Sequence, residues 1–184
     1  MEDTKRIHLP DATREPTNKT KDKDKNPRKR RQATESKRWD FDAETMTPEY
    51  QLELLSECLR EPPPENSRVQ LLKQHIHHKW YGYRSQDIDK QLYLPEWFVS
   101  EHEIIELLMD SRLLCFYCRC SIQLFYEYVR ESTQWSLERI DNTHGHNRGN
   151  VVIACLGCNV RRRTMYYERF LATKQMTITK SDTV

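Results

Sequence analysis

Cys115-Phe-Tyr-Cys118 is repeated in spacing by Cys155-Leu-Gly-Cys158, and the second pair runs directly into Asn159 and the basic run Arg161, Arg162, Arg163. Between the pairs lie Trp135-Ser-Leu-Glu138-Arg139-Ile-Asp141-Asn142, a short loop with His144 and His146, and Asn150-Val-Val-Ile-Ala154. Two Cys-x-x-Cys knuckles can hold one tetrahedral zinc through four thiolates, which ties together the ends of an otherwise floppy segment. Everything between the knuckles then becomes a candidate site.

The rest of the chain is consistent with a small metal-stapled core. It has 184 residues, of which 32% are charged and 36% hydrophobic, enough for one modest domain with tails. A core that small buries little apolar area, and a metal is a natural supplement. No run is long and apolar enough to cross a membrane, and Met1 to Arg14 is too polar for a signal peptide, so an intracellular protein is expected. In a reducing compartment the paired cysteines read as metal ligands rather than disulfides. Cys58 and Cys120 are left over as free thiols, although Cys120 offers a second partner to the first knuckle.

The formal net charge of +2 does not by itself argue for nucleic acid. Its distribution says more. Residues 1 to about 37 are rich in Lys, Arg, Asp, Thr and Pro and nearly free of large apolar residues, so they cannot offset their own ordering entropy. A disordered tail is expected over 1–45. Within it, Pro27-Arg28-Lys29-Arg30-Arg31 is a basic cluster of the nuclear-import or phosphate-binding sort, or a solvated charge run. A nuclear location is one expectation and the cytoplasm the other.

A helical accessory region is expected over 46–112. Thr47 reads as an N-cap with Pro48 at the first helical position and Tyr50, Leu52, Leu54, Leu55 and Leu59 as apolar positions, before Pro62-Pro63-Pro64. A second helix, Arg68 to about Trp80, carries His75, His77 and His78 among basic and aromatic neighbours. Surface or nucleic-acid contact outranks metal binding for these histidines, because further ligands are lacking nearby. Lys73, Lys79, Arg84 and Lys90 with Trp80, Tyr81 and Tyr83 make the surroundings basic and aromatic, an accessory DNA-binding surface or else packing aromatics. Ser100 with Glu103 forms a capping box ahead of Ile104, Ile105, Leu107 and Leu108.

From Cys115 onward, Gln134–Ile140 and Val151–Ala154 read as two short strands separated by a turn-rich loop holding Gly145 and Gly149. A helix follows from Asn159 to about Leu171, with Met165, Tyr166, Phe170 and Leu171 as its buried side. The expected class is therefore α+β: a zinc-stapled strand, loop, strand, helix unit over 113–175, preceded by helices and followed by a short tail, 176–184.

These residues resemble the HNH, or His-Me finger, nucleases with their ββα-metal core, in particular the recombination endonuclease VII branch with its zinc-binding cysteine pairs. The resemblance covers Cys115 to about Phe170. It rests on both knuckles, Leu137-Glu138-Arg139-Ile140-Asp141, the Gly145-His146 loop, Asn150 before an apolar strand, and Cys158-Asn159. Segments like Trp135 to Asn159 also look like those of proteins from large DNA viruses. The resemblance implies a DNA endonuclease that hydrolyses phosphodiesters with one hard cation, Mg or Mn, on oxygen ligands. By position Glu138 and Asn159 are those ligands, Asp141 is a third ligand or orients a water, Asn150 bridges the loop, and the four cysteines hold a structural zinc.

The chain departs from that pattern at Arg139. His is usual after the acidic ligand and serves as general base; Arg keeps its proton and cannot. Arg139 is then expected to hold phosphate, with His144 or His146 supplying the base. Arg161, Arg162 and Arg163 are expected to bind DNA phosphates near the start of the final helix. Three readings follow in order: an HNH-type DNA endonuclease, a catalytically inactive zinc-stabilised DNA-binding protein, and a structural zinc module. A homodimer through the helices between Thr47 and Leu114 is a further expectation.

Overall fold

The capping signals of the first and third helices are realised as hydrogen bonds in the computed structural model, which describes residues 30–33, 39, 42–62 and 65–176. Helix α1 (Pro48–Cys58) starts with the Thr47 side chain accepting from the Tyr50 N–H and with Pro48 in its first turn, where a missing N–H costs nothing. Helix α2 (Ser67–Asp89) is capped by Asn66 and runs nine residues past Trp80, the end expected from its apolar pattern. Helix α3 (Glu101–Asp110) has both halves of the Ser100/Glu103 capping box.

Strands β1 (Trp135–Arg139) and β2 (Val151–Cys155) form an antiparallel pair with Trp135 opposite Cys155, Leu137 opposite Ile153 and Arg139 opposite Val151. The α+β class is thus five helices with one two-stranded sheet among the described residues. Leu54, Leu55, Leu72, Ile76, Ile104, Leu108, Trp135, Leu137 and Ile153 belong to one buried cluster, so the apolar faces of α1 to α3 are used inside the chain, against one another, with α3 packed on β2. No helix among the described residues is long and apolar enough to cross a membrane.

Two expectations are corrected here. The single helix from Asn159 to Leu171 is two: α4 (Leu156–Arg162) and α5 (Tyr167–Gln175), separated at Arg163, whose φ of 52° no helix accommodates. The break turns the chain, so Phe170 is buried while Tyr166 is 82% exposed and Met165 faces solvent as well. Second, residues 30–33 and 39, which fall within the segment expected to be a disordered tail, contribute to the body. Ala33 donates to the Glu127 carbonyl, Val129 donates to that of Arg31, and Trp39 is buried edge-on to His75 and Phe125. Arg30 of the basic cluster pairs with Glu131 and lies over the Tyr128 ring. The remainder of that cluster, Pro27 to Lys29 and the other residues before it lie outside the described residues, as do residues 177–184.

Candidate metal centre and nucleic-acid interface

The knuckles come together. The Sγ atoms of Cys115, Cys118, Cys155 and Cys158 all lie within 4.8 Å of one another, and three of the four residues are buried. Zinc–sulfur bonds of about 2.3 Å arranged tetrahedrally separate sulfurs by about 3.8 Å; Cys118 and Cys155 are 3.9 Å apart. Local geometry explains the placement. Arg119, at φ 57°, lets the chain reverse so that Cys115 N–H meets the Cys120 carbonyl. Cys155 caps α4, its sulfur accepting from the Cys158 N–H at 3.3 Å. The thiols crowd one another: hydrogen bonding from Cys155 pulls Cys115 down to about 4, while burial and then the Cys115 charge push Cys158 up to about 12. A soft divalent cation resolves that conflict by accepting all four as thiolates. The four cysteines therefore form a site able to hold a metal ion, compatible with structural zinc. Cys120 lies just outside the set with its sulfur 3.3 Å from Cys118, and Cys58 is buried elsewhere in the core.

Glu138 on β1 and Asn159 on α4 are each already engaged with other partners. Glu138 is buried and its carboxylate is bonded by Arg162 Nε, a pair whose side chains are 5% and 1% exposed. The Arg162 guanidinium also donates to the Met165 carbonyl at 2.7 Å, to the Arg139 carbonyl and to Asn142 Oδ1 at 3.1 Å. Burial pushes the Glu138 carboxyl up to about 7, against the pull of Arg162. A guanidinium thus sits on the carboxylate expected to hold a hard cation. Asn159 Nδ2 donates to the Leu137 carbonyl at 3.0 Å and to Ser136 Oγ at 3.2 Å, stitching α4 to the strand, while the Leu137 N–H is taken by the Tyr83 hydroxyl at 3.0 Å.

The arginine run is accordingly corrected. It occupies the last turn of α4 and the break after it, where the helix dipole favours cations. Arg162 is an internal clamp and not a phosphate ligand; Arg161 and Arg163 are exposed.

The loop residues divide in the same way. Asn150 bridges the loop as expected: its Oδ1 accepts from Asp141 N–H at 2.9 Å, and its Nδ2 donates to the Asp141 and Gly145 carbonyls at 3.0 and 2.9 Å. His146 is 3% exposed and locked by Asp87, which takes its backbone N–H at 2.5 Å and Nδ1 at 2.9 Å; burial lowers its pKa. A Cβ on Gly145 would stand 2.5 Å from the Leu92 carbonyl oxygen and 2.7 Å from Asp87 Oδ2, so only glycine allows this approach. His146 is therefore a packing residue. His144 stands in solvent with Nδ1 3.3 Å from Asp141 Oδ2, and Arg139 Nη1 reaches the His144 carbonyl at 3.2 Å. Asp141 is held low, mainly by hydrogen bonds from the Thr143 backbone and side chain.

The histidines of α2 are structural or pair at the surface. His75 is enclosed by Trp39, Tyr126 and Trp135, and His77 meets Glu101 and stacks on Trp80. Sequence reasoning missed Asp87 and Trp97, and it read Lys79 as part of an accessory DNA-binding surface, whereas its ammonium is turned inward onto aromatic rings and Gln134. Asp87 acts on a loop almost sixty residues away, Lys79 lies between the Trp135 and Tyr126 rings, and no local spacing announces either. Trp97 could have been noticed as an aromatic in the turn Pro95-Glu96-Trp97. Comparison of the chain with family models, with curated proteins and with solved structures gives no match.

Proposed function

We propose that this protein binds DNA through a zinc-stapled ββα module of the HNH type in which Arg162 takes the place of the divalent cation, so that it holds DNA without cutting it at Glu138. The observation that carries this reading is the buried Glu138–Arg162 pair. An internal guanidinium supplies a permanent positive charge at the strand–helix junction, and the four hydrogen bonds it makes leave it no reason to yield. Arg139 in place of a titratable imidazole agrees with it, since no general base adjoins the carboxylate. Exposed Arg161 and Arg163 at the end of α4 are available to neutralise phosphates. The test is anisotropy of labelled duplex DNA against salt: Arg161→Ala with Arg163→Ala should reduce the log–log salt slope by about 2, at roughly 0.9 per phosphate contact. An unchanged slope and affinity count against phosphate binding there.

A second reading, the metal-dependent endonuclease, is favoured by one observation. His144 is exposed and oriented by Asp141 through Nδ1, which leaves Nε2 free of that contact, as a general base requires. On this reading Mg or Mn would be held by Asp141 with Glu138 and Asn159 after Arg162 withdraws, and His144 would take the proton from the attacking water.

A further inference from the structure

Beside the loop lies an open groove of about 480 Å³, within the size range of small-ligand sites. Leu94, Trp97, Asp141, His144, Asn147 and Arg148 line it. One wall is the turn before α3 and the other is the 141–150 loop, and two backbone hydrogen bonds fasten them. Arg148 N–H donates to the Trp97 carbonyl at 2.8 Å and Val99 N–H to the His146 carbonyl at 3.0 Å, which together pair Phe98 with Asn147. This short ribbon buries Phe98 and, by alternation, turns Trp97 outward, 61% exposed. A large indole presented at the edge of a groove by a fixed backbone costs apolar exposure and gives the fold no packing in return.

Three further features bear on what the groove takes. Asn147 is 8% exposed, and its Oδ1 is buried without a hydrogen-bond partner. An acceptor left in that state is costly unless something donates to it. Arg148 and His144 offer cationic or donor groups beside the indole; Arg148 is fixed through Nε by Glu103 at 3.0 Å. Asp141 opposes an anion, but its carboxylate is already occupied by Thr143 and His144. Gly149, at φ 75°, has nothing within 4 Å of where a Cβ would stand, so the loop crest leaves the groove open to an entering chain.

We infer that this groove receives an unpaired nucleotide of a single strand, its base stacked on Trp97, a base amino group given to Asn147, and its phosphate beside Arg148. A base in duplex has both faces stacked and cannot use the indole, whereas an unpaired base gains from it. The inference rests on the nucleic-acid-binding reading above and sharpens it from DNA in general to DNA with an unpaired segment.

The experiment uses the full, zinc-loaded chain and measures anisotropy with oligo-dC, oligo-dT, oligo-C RNA and a blunt duplex. Trp97→Ala should weaken single-strand binding by about 5- to 100-fold and duplex binding by less than about twofold, with Trp97→Phe keeping most of the affinity. Oligo-dC, which carries an amino group, should bind more tightly than oligo-dT. Single-strand affinity unchanged in Trp97→Ala, or lowered equally with duplex affinity, overturns the groove assignment and leaves the duplex reading standing. Equal affinity for oligo-dC and oligo-dT removes Asn147 from it. Tighter binding of RNA than of DNA overturns the DNA reading while keeping the groove, and no binding to any of the four overturns both.

Discussion

Replacing Arg162 with Ala removes the cation hydrogen-bonded to a buried carboxylate, and the size of the loss follows from what is left behind. Glu138, 4% exposed in the intact protein, loses its partner, and the carbonyls of Met165 and Arg139 and the Asn142 side chain lose a donor. Breaking a buried pair from one side costs about 3–5 kcal/mol, a large part of the roughly 5–15 kcal/mol that holds a domain folded. Urea unfolding of the zinc-loaded protein at neutral pH, followed by circular dichroism, reads this directly. The double change Glu138→Leu with Arg162→Met removes both charges and still loses the other three hydrogen bonds at about 1 kcal/mol each, so it should recover no more than about 2 kcal/mol of the loss. The single variant should also suffer less in acid. The folded Glu138 pKa lies above its ordinary value, so the folded state binds the proton more tightly and stability falls as pH rises through the window from about 4.5 to about 7. Below that window the orphaned carboxyl is neutral and the penalty shrinks. A cost under about 0.5 kcal/mol for Arg162→Ala, as for a surface arginine, would refute the clamp and return Arg162 to the phosphate-binding set.

Other outcomes follow from the same geometry. Native mass spectrometry should find one zinc per chain, lost in Cys155→Ser together with cooperative unfolding, since α4 and β2 meet at that residue. Gly145→Ala should destabilise by about 1–3 kcal/mol, because the added methyl meets a backbone carbonyl and the buried Asp87, and thermal unfolding would reveal the shift. Lys79, held between the Trp135 and Tyr126 rings, is pushed by burial to about 7 from its ordinary 10.5. The unfolded chain then holds the extra proton between those values, so stability rises with pH from about 7 to about 10.5, and Lys79→Met should flatten that rise in the melting temperature.

The fold was legible in the sequence wherever a signal is local. Thr47-Pro48 and Ser100-x-x-Glu103 act within one turn and place α1 and α3 to the residue. The paired Cys-x-x-Cys spacing announced its own cluster, because a knuckle is set by three backbone steps. Asn150 bridging the loop was expected from the resemblance, and it agrees with the readiness of Asn to bond nearby backbone. What escaped depends on distant partners. The Met165-Tyr166 pair looks apolar, yet the left-handed Arg163 turns both to water. Three consecutive arginines look equivalent as a string, and only the approach of Glu138 across the sheet separates the buried one from its neighbours. His146 and His144 are two residues apart, and Asp87, on a different helix, makes one a core residue and leaves the other exposed.

The central claim is that the strand–helix junction holds a guanidinium where an HNH-type nuclease would hold a cation. The most direct measurement is nicking of supercoiled plasmid and a four-way junction by the zinc-loaded protein in Mg or Mn, alongside binding to the same DNA. The account predicts binding with no cleavage in either metal, and no change in that result for Asn159→Ala. Metal-dependent cleavage that disappears in folded, zinc-loaded Asn159→Ala would contradict it and identify Glu138 and Asn159 as a working cation site.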